Sequence, residues 1–304
     1  MPTPLALDAG LARQKMHKFN MVESNERPGS VLHTLSVAPW SLSVDTDGGM
    51  IRRLTCGARD VLRPMPDECR DPRLSSCYPL LPFANRIDQA HLDFEGRVAE
   101  ISPALPEPHG LHGTGWQSNW TVEEIGSDHL LLTLEGGADR AWPWRWRAEQ
   151  RFSITQSGVT VDLTLTNIDT VSAPASIGLH PAFLLEAGTR IETDIDGIWD
   201  CRPDLIPSGW RPIGWPDIEA QPLDNCLTGW SGRATIRTRG QSPITLVADT
   251  SHLQVYRPKG ENFICLEPVT ARPNVWTPIA NGPADPPATL APHERLSVTM
   301  TLSA

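Results

Sequence analysis

The sequence lacks the features that mark several common protein classes. Only 2 of its 304 residues are tyrosine, and 26 basic residues stand against 36 acidic ones, for a formal net charge of −10. Nucleic acid and anionic membrane surfaces repel such a chain, so neither is expected as a partner. No apolar run approaches the roughly 18 residues of a membrane-spanning helix. The first residues lack the basic segment and long apolar stretch of a secretory signal.

Metal and nucleotide motifs are missing as well. The cysteines form no Cys-x-x-Cys pair and no cysteine–histidine cluster with zinc-finger spacing: Cys56, Cys69, Cys77, Cys201, Cys226 and Cys265. We therefore expect reduced, mostly buried thiols in a cytoplasmic protein. Neither the glycine-rich nucleotide loops nor the Gly-x-Ser-x-Gly nucleophile motif is present. The sequence thus predicts no metal site and no cofactor.

Helical periodicity is the third absence, and it leads to the fold class. The chain contains 29 prolines, nearly twice the usual share of about 5%. Prolines this widely spread interrupt helices, because each removes a hydrogen-bond donor and clashes with the preceding turn. They form no single low-complexity tract, which argues against a disordered chain. These observations predict an all-β protein.

Short stretches of alternating apolar and polar residues support that prediction. Two of them flank the turn signal Gln156-Ser157-Gly158, which indicates a hairpin. The stretches are Val31–Val37, Trp40–Val44, Leu130–Leu134, Trp146–Ile154, Val159–Thr166, Ala234–Thr238 and Leu296–Leu302. Many short strands joined by Gly- and Pro-containing turns are typical of a large antiparallel sandwich or barrel.

The chain shows no internal boundary that would divide it into several domains. Residues 1–28 have no clear period, and we interpret them as a tail or an added edge. Residues 29–304 are predicted to form a single β-sandwich domain. Trp142, Trp144 and Trp146 alternate and so share one sheet face. Such a row can stack on sugar rings, but a place in the core is the favoured interpretation.

Four clusters carry the residues best suited to chemistry: Pro82–Ile87, His109–Gly113, Gly178–Phe183 and Phe263–Pro268. Glu267 closes an apolar stretch, where partial desolvation would raise its pKa toward that of a useful base. His180 lies at a predicted strand end and can donate a proton near neutral pH. The alternatives are an exposed glutamate at a strand end and a core histidine with ordinary partners.

Two further residues in these clusters are suited to binding. Arg86 offers a fork of donors for hydroxyl or carboxylate oxygens, although a structural salt bridge would need the same residue. His112 lies among glycines that permit a close approach of the backbone to a ligand. A simple tight turn explains that string equally well. Taken singly, none of the four clusters decides a function.

Together and in this order, the clusters resemble the aldose 1-epimerase (galactose mutarotase) family from about Val31 to the C-terminus. The matching strings are Asn85-Arg86-Ile87, Leu111-His112-Gly113, Gly178-Leu179-His180-Pro181 with Phe183, and Cys265-Leu266-Glu267-Pro268. Weaker matches are Leu223-Asp224-Asn225, Pro273-Asn274 and Leu290-Ala291-Pro292-His293-Glu294. The resemblance implies a large antiparallel β-sandwich of the galactose mutarotase-like supersandwich type. It also implies interconversion of the α and β anomers of a free aldose without a cofactor.

The same resemblance implies roles for individual residues. Glu267 would be the general base and His180 the general acid. Hydroxyl groups of the sugar would be held by a second set of side chains, namely Arg86, His112 and Asp224, with Asn85 beside them. Two positions depart from the family pattern, since Ala182 replaces a usual aromatic residue and His293 replaces a usual glycine. The first predicts a wider pocket, and the second concerns a turn.

Two alternative functions stay open at this point. A relative acting on hexose 6-phosphates would need a positive patch for a dianion, which Arg257, Lys259 and Arg272 could supply. A non-catalytic sugar-binding protein could use the same scaffold. The joint presence of His180 and Glu267 argues against a pure binder. The sugar, the pathway and the oligomeric state are left open.

Overall fold

The computed structural model describes residues 30–103, 107–216, 222–285 and 288–304. In these ranges the chain consists of short strands and three 3₁₀ helices, Pro72–Leu74, Asp88–Ala90 and Gly115–Gln117. The strands are β1 (Leu32–Val37), β2 (Trp40–Asp45), β3 (Met50–Cys56), β4 (Arg59–Asp60), β5 (Pro79–Leu80), β6 (Arg86–Ile87), β7 (His91–Phe94), β8 (Arg97–Glu100), β9 (Gly110–Leu111), β10 (Thr121–Ile125), β11 (His129–Gly136), β12 (Trp146–Thr155), β13 (Gly158–Asn167), β14 (Ala173–Pro174), β15 (Gly178–Leu179), β16 (Ala182–Leu184), β17 (Arg190–Thr193), β18 (Gly197–Cys201), β19 (Pro207–Pro212), β20 (Leu223–Thr228), β21 (Arg233–Arg237), β22 (Ile244–Ala248), β23 (His252–Arg257), β24 (Phe263–Val269), β25 (Thr289–Leu290) and β26 (Arg295–Ser303). The prediction of an all-β protein is confirmed.

Two eight-stranded antiparallel sheets make up most of the fold. Sheet A has the order β10-β11-β12-β13-β26-β22-β21-β17. Sheet B has the order β19-β18-β20-β23-β24-β15-β5, and β16 also pairs with β24. Strands β1 to β4 form a smaller sheet, and β6–β9, β7–β8 and β14–β25 are two-stranded pairs. The predicted large antiparallel sandwich is therefore present.

The hairpin of β12 and β13 shows why the sequence pattern was informative. Its register runs without a shift from Trp146 opposite Asn167 to Thr155 opposite Gly158. Burial alternates residue by residue along both strands, because successive side chains point to opposite faces of a sheet. On the outer face, hydroxyl groups pair across strands, as in the 3.1 Å contact between the Oγ1 atoms of Thr160 and Thr301. The predicted strands and turn are confirmed here.

The main core joins the inner faces of both large sheets. Phe152 and Leu163 of sheet A, Leu253 and Leu266 of sheet B, and Leu42 of the smaller sheet belong to one buried cluster. Burial of each such side chain stabilises the fold by about 1.5–3 kcal/mol. The row of alternating tryptophans belongs to the same cluster, with Trp142, Trp144 and Trp146 all at most 3% exposed. The core interpretation of that row is confirmed.

Sheet B sends its two faces to different surroundings. Along β23 and β24, Leu253 and Leu266 point into the main core. Their neighbours Gln254 and Glu267 are opposite each other in the register and point to the other face. Because Leu253 and Leu266 are fixed in the core, the carboxyl group of Glu267 and the amide of Gln254 lie side by side on the opposite face of the sheet.

Some predictions are resolved only in part. The predicted tail, residues 1–28, lies outside the described residues, and the single domain over 29–304 stays a prediction. All six cysteines are free thiols, three of them fully buried and three half-buried. In the part of the chain that the structure describes, no helix is both long enough and apolar enough to cross a membrane.

Candidate active site

A carboxyl group and an imidazole meet at the centre of sheet B. Strand β24 pairs with β15 through Gly178 and Val269, and with β16 through Ala182 and Cys265. That common register places position 180 opposite position 267. The Nε2 atom of His180 lies 3.2 Å from Oε1 of Glu267, and the two side chains are 11% and 2% exposed. The structure therefore brings together the two residues predicted to be acid and base.

Glu267 differs from one sequence-based expectation. It lies inside β24 rather than at an exposed strand end, and it is fully buried. Its Oε2 atom is buried and accepts no hydrogen bond within the described residues. A buried oxygen without a partner is costly in a folded protein and points toward a ligand that supplies a donor.

The electrostatics of the pair favour its neutral forms. Burial raises the pKa of Glu267 well above its usual value, and the nearby charge of Asp224 raises it further, while Arg86 opposes the shift. Burial lowers the pKa of His180 to about 3. Both shifts disfavour charge, so these surroundings favour a neutral carboxyl group and a neutral imidazole over the charged pair. A proton can pass directly between the two groups across their contact.

A second set of polar groups lines the site. Arg86 is 7% exposed, and its guanidinium lies 3.2 Å from Oδ2 of Asp224 and 3.1 Å from Oε1 of Glu107. Gln254 donates from Nε2 to Oδ1 of Asp224 over 2.7 Å. Arg86 and Asp224 therefore both lie in the predicted neighbourhood and form an ion pair with each other. The binding role and the salt-bridge interpretation of Arg86 do not exclude one another.

Gln254 was missed by the sequence reasoning. Its Oε1 atom is buried and has no hydrogen-bond partner among the described residues, like Oε2 of Glu267 on the opposite strand. Two acceptors that lack donors thus face the same space. The sequence feature that could have identified it is a single amide between Leu253 and Val255 in an apolar strand. Burying a polar side chain there is costly unless it has a hydrogen-bond partner or a function.

His112 and Asn85 hold each other in a tight turn. Both residues have a left-handed backbone, with φ of 60°. The backbone N–H of Asn85 donates to Nδ1 of His112 over 3.0 Å, and the N–H of His112 donates to the carbonyl of Asn85 over 2.9 Å. The next residue, Gly113, has no room for a side chain, because a Cβ would lie 2.1 Å from the carbonyl oxygen of Leu81.

This turn fixes the chemistry of the imidazole of His112. Since Nδ1 accepts a hydrogen bond, the proton of the neutral ring resides on Nε2, which is a donor. Burial lowers the pKa of His112 well below its usual value, so the ring stays neutral. The Oδ1 atom of Asn85 accepts from the N–H of Arg86 over 2.8 Å and thus orients that strand. His112 is suited to donate to a hydroxyl oxygen, and Asn85 to support Arg86.

The same geometry tests the site as a metal centre. One atom each of His112, His180 and Glu267 could reach a common ion, since these atoms lie within 4.8 Å of one another. A metal ligand at Nε2 of His112 would need the ring proton on Nδ1, where the N–H of Asn85 already donates. The donor set therefore fits a hydroxylated ligand better than a metal ion.

A second histidine–carboxylate group lies outside this site and has a similar conflict. Asp88, His109 and Asp204 also come within 4.8 Å of one another. The guanidinium of Arg202 already binds both carboxylates, at 3.0 and 2.9 Å. The N–H of Gln89 donates to Nδ1 of His109 over 3.1 Å. In this cluster the two partly exposed aspartates form ion pairs with Arg202, beside the buried ring of His109.

Comparison with known proteins identifies the family. The sequence profile named aldose 1-epimerase matches residues 40–303. The chain belongs to the aldose 1-epimerase family. It is 28% identical over 265 residues to the uncharacterised protein YphB of Escherichia coli K12, covering 80% of this chain and 89% of that one.

Solved structures agree with this membership of the aldose 1-epimerase family. A candidate aldose 1-epimerase from Escherichia coli K12 has a TM-score of 0.78 and 28% identity, covering 90% of this chain and 99% of the other. A galactose mutarotase-like protein from Clostridium acetobutylicum has a TM-score of 0.77 at 16% identity, covering 90% and 97%. The second likeness concerns the fold alone. The galactose mutarotase-like sandwich predicted from the sequence is confirmed.

The two departures from the family pattern have different surroundings. Ala182 is 1% exposed and follows His180 on the same face of sheet B, opposite Cys265. The wider pocket that this alanine predicts stays a prediction. His293 is exposed in the turn before β26 and has a φ of 67°. A left-handed turn explains why the family usually has glycine at that position.

Proposed function

We propose that this protein is an aldose 1-epimerase that interconverts the α and β anomers of a free aldose. The observation that carries the proposal is the contact between His180 and Glu267, deep in a site that also presents unpartnered acceptors. Burying two titratable groups lowers the stability of the folded protein, and such pairs are typical of catalytic sites. The ring of donors and acceptors around it matches the hydroxyl groups of a sugar.

The reaction requires two proton transfers at oxygen atoms. The carboxylate of Glu267 takes the proton of the C1 hydroxyl, and the freed electron pair forms the C1 carbonyl. The bond between C1 and the ring oxygen breaks, and the ring oxygen takes the proton from Nε2 of His180. C1 then rotates about its bond to C2. The reverse transfers close the ring with the opposite configuration.

The electrostatics of the site support this assignment. Transfer of the proton from Glu267 to Nε2 of His180 first converts the neutral pair into the carboxylate and imidazolium that react with the cyclic sugar. Ring opening then returns both groups to their neutral forms. Burial favours the neutral forms of both groups, because it raises the pKa of Glu267 and lowers that of His180. The buried surroundings therefore favour the proton transfers that open the ring.

Substrate binding falls to the second set of groups. Arg86 and the Nε2–H of His112 would donate to hydroxyl oxygens, while Asp224 and Oε1 of Gln254 would accept from hydroxyl groups. Asn85 would act beside them by orienting Arg86. Because polar groups that bind hydroxyls reject analogues lacking them, this set would also decide which aldose is used.

A free aldose is favoured over a hexose 6-phosphate. The proposed phosphate patch is largely engaged within the protein, since Arg272 is 1% exposed and donates to Asp285 over 2.8 Å. Arg257 donates to the carbonyls of Pro258 and Glu261. Of the three residues in that patch, Lys259 alone is exposed. We also propose a cytoplasmic location, which the six free thiols support.

Polarimetry on freshly dissolved sugars tests the proposal. Initial mutarotation rates are compared for a panel of common aldoses and for glucose 6-phosphate, with wild type and with His180→Asn. We expect acceleration of one or more free aldoses and a loss of about 10²–10⁴ in the variant. Faster exchange of glucose 6-phosphate than of any free aldose would favour the phosphate alternative. Sugar binding without acceleration would favour the non-catalytic one.

A further inference from the structure

The partner strand brings an aromatic ring next to the imidazole of His180. Strands β5 and β15 pair through Leu80 opposite Gly178 and Pro79 opposite Leu179. Continuing this register by one residue places Tyr78 opposite His180, and the N–H of His180 donates to the carbonyl of Tyr78 over 3.0 Å. Residues directly opposite in an antiparallel pair point to the same face, so the two rings must meet.

The two rings lie flat on each other. Their centroids are 4.3 Å apart with an interplanar angle of 18°. Tyr78 is itself held in place, because it is 5% exposed and its ring contacts that of Trp116 at 5.7 Å. The edge of His112 meets His180 at 5.4 Å and 88°. The imidazole of His180 is therefore bounded on one face by Tyr78 and on one side by His112.

This support matters because the ring of His180 has few polar contacts with other side chains. Within the described part of the chain, the one polar side-chain contact of its ring is the 3.2 Å contact with Glu267. When Glu267 turns to the hydroxyl group of a substrate, that contact no longer fixes the direction of Nε2. Two torsion angles of the histidine would then be free, unless packing restrains them.

We propose that Tyr78 is the positioning residue for His180, keeping its Nε2 directed at the ring oxygen of the bound sugar through the flat contact of the two rings. This inference rests on the proposed function and adds a residue to it. An aromatic face also attracts a cation, so the contact favours the imidazolium that must be present before ring opening. The hydroxyl group of Tyr78 has no part in this role.

Two substitutions separate the ring from the hydroxyl group. Tyr78→Phe keeps the flat face and should retain the wild-type kcat within about twofold. Tyr78→Leu keeps an apolar side chain but loses the face, and should lower kcat by about 10- to 100-fold with little change in KM, since misplacement of a reacting group acts on the chemical step. Phe152→Leu is the matched control, because Phe152 is a fully buried aromatic residue of sheet A, whereas the site residues Gln254 and Glu267 lie on sheet B. It should lower stability and leave kcat unchanged.

A double-mutant comparison shows whether Tyr78 acts through His180. In the His180→Asn background, Tyr78→Leu should change the residual rate by less than about twofold, because the group that it positions is gone. Losses that multiply in the double variant, or a Tyr78→Leu variant with unchanged kcat, would overturn the inference. So would a Tyr78→Phe variant as slow as Tyr78→Leu.

A spectroscopic readout keeps this inference separate from the proposed function. In wild type and Tyr78→Phe, the ring protons of His180 should show an upfield ring-current shift in the NMR spectrum, and this shift should vanish in Tyr78→Leu. If wild type accelerates exchange of no aldose, the proposed function fails. If wild type is active and the shift persists in Tyr78→Leu, only the inference about Tyr78 fails.

Discussion

Replacing Glu267 by glutamine tests two effects of the buried carboxyl group, its role as a base in catalysis and its effect on the free energy of unfolding. The side chain is 2% exposed, and burial together with the nearby charge of Asp224 holds its pKa well above the usual value. Glutamine has nearly the same shape and cannot accept the proton of the C1 hydroxyl. We expect the rate of anomer exchange to fall by about 10²–10⁴, with the fold intact.

The same substitution should stabilise the protein above mildly acidic pH. In the unfolded chain this carboxyl group ionises near its ordinary pKa of 4.5, whereas in the folded protein it stays protonated to higher pH. The unfolded state is therefore increasingly favoured as pH rises from 4.5 to the folded pKa. Each pH unit in that window costs about 1.4 kcal/mol of unfolding free energy. Glutamine does not ionise, so the Glu267→Gln variant does not lose unfolding free energy in this way.

Urea unfolding at pH 5, 6.5 and 8 measures the effect, with exchange rates taken on the same samples. The stability margin of Glu267→Gln over wild type should grow from pH 5 upward. Glu149→Gln serves as the control, because Glu149 is only half-buried on sheet A and pairs there with Arg295. A folded Glu267→Gln protein with most of its rate would refute the role as base. A margin that does not grow with pH would refute the buried proton.

Three further predictions concern neighbouring groups. Arg86→Met leaves Asp224 and Glu107 without their cation, so unfolding free energy should fall by about 1–3 kcal/mol, less than for a fully buried pair because both carboxylates are about a fifth exposed. The pKa of Glu267 should rise in that variant, because a nearby positive charge is lost. The low-pH side of the pH–rate profile, on which the rate rises with pH, should then move to higher pH. A profile that does not move would contradict this. His112→Phe keeps the ring contacts but removes the acceptor for the buried N–H of Asn85, so the unfolding free energy should fall by about 1–3 kcal/mol. It also removes a donor to the substrate, so KM should rise about tenfold. An unchanged KM would exclude His112 from substrate binding. Burial lowers the pKa of His252 to about 4, so the unfolded histidine binds a proton at pH 5 that the folded one does not. Between pH 7.5 and pH 5, wild type should therefore lose about 2 kcal/mol more unfolding free energy than His252→Gln. Equal losses in urea titrations would show that this histidine is not held neutral.

The fold class could be predicted because local alternation reports burial directly. Strands β12, β13 and β26 have one buried face and one polar face, so period-2 patterns mark them in the sequence. The strands that build the site lack this signal. Strands β5, β6, β9 and β15 are two residues long and buried on both sides. Their pairing is set by distant partners that the local sequence does not contain.

The site residues could be named, but their arrangement could not. The family resemblance pointed to Glu267 and His180, whereas their 3.2 Å contact follows from the shared register of β15, β16 and β24. Gln254 and Tyr78 were missed for the same reason. Each lies in an apolar stretch, and each becomes meaningful only when the opposite strand places it beside Glu267 or His180.

The central claim is that ring opening occurs by proton transfers at oxygen, driven by the His180–Glu267 pair. Two-dimensional exchange NMR of equilibrated aldoses in D₂O tests it most directly, because it measures the interconversion of the two anomers without any net reaction. With catalytic amounts of wild type, cross-peaks between the α and β C1 protons should strengthen for at least one free aldose. No deuterium should enter at C1 or C2. Exchange no faster than in buffer for every aldose, or deuterium appearing at C2, would contradict the account.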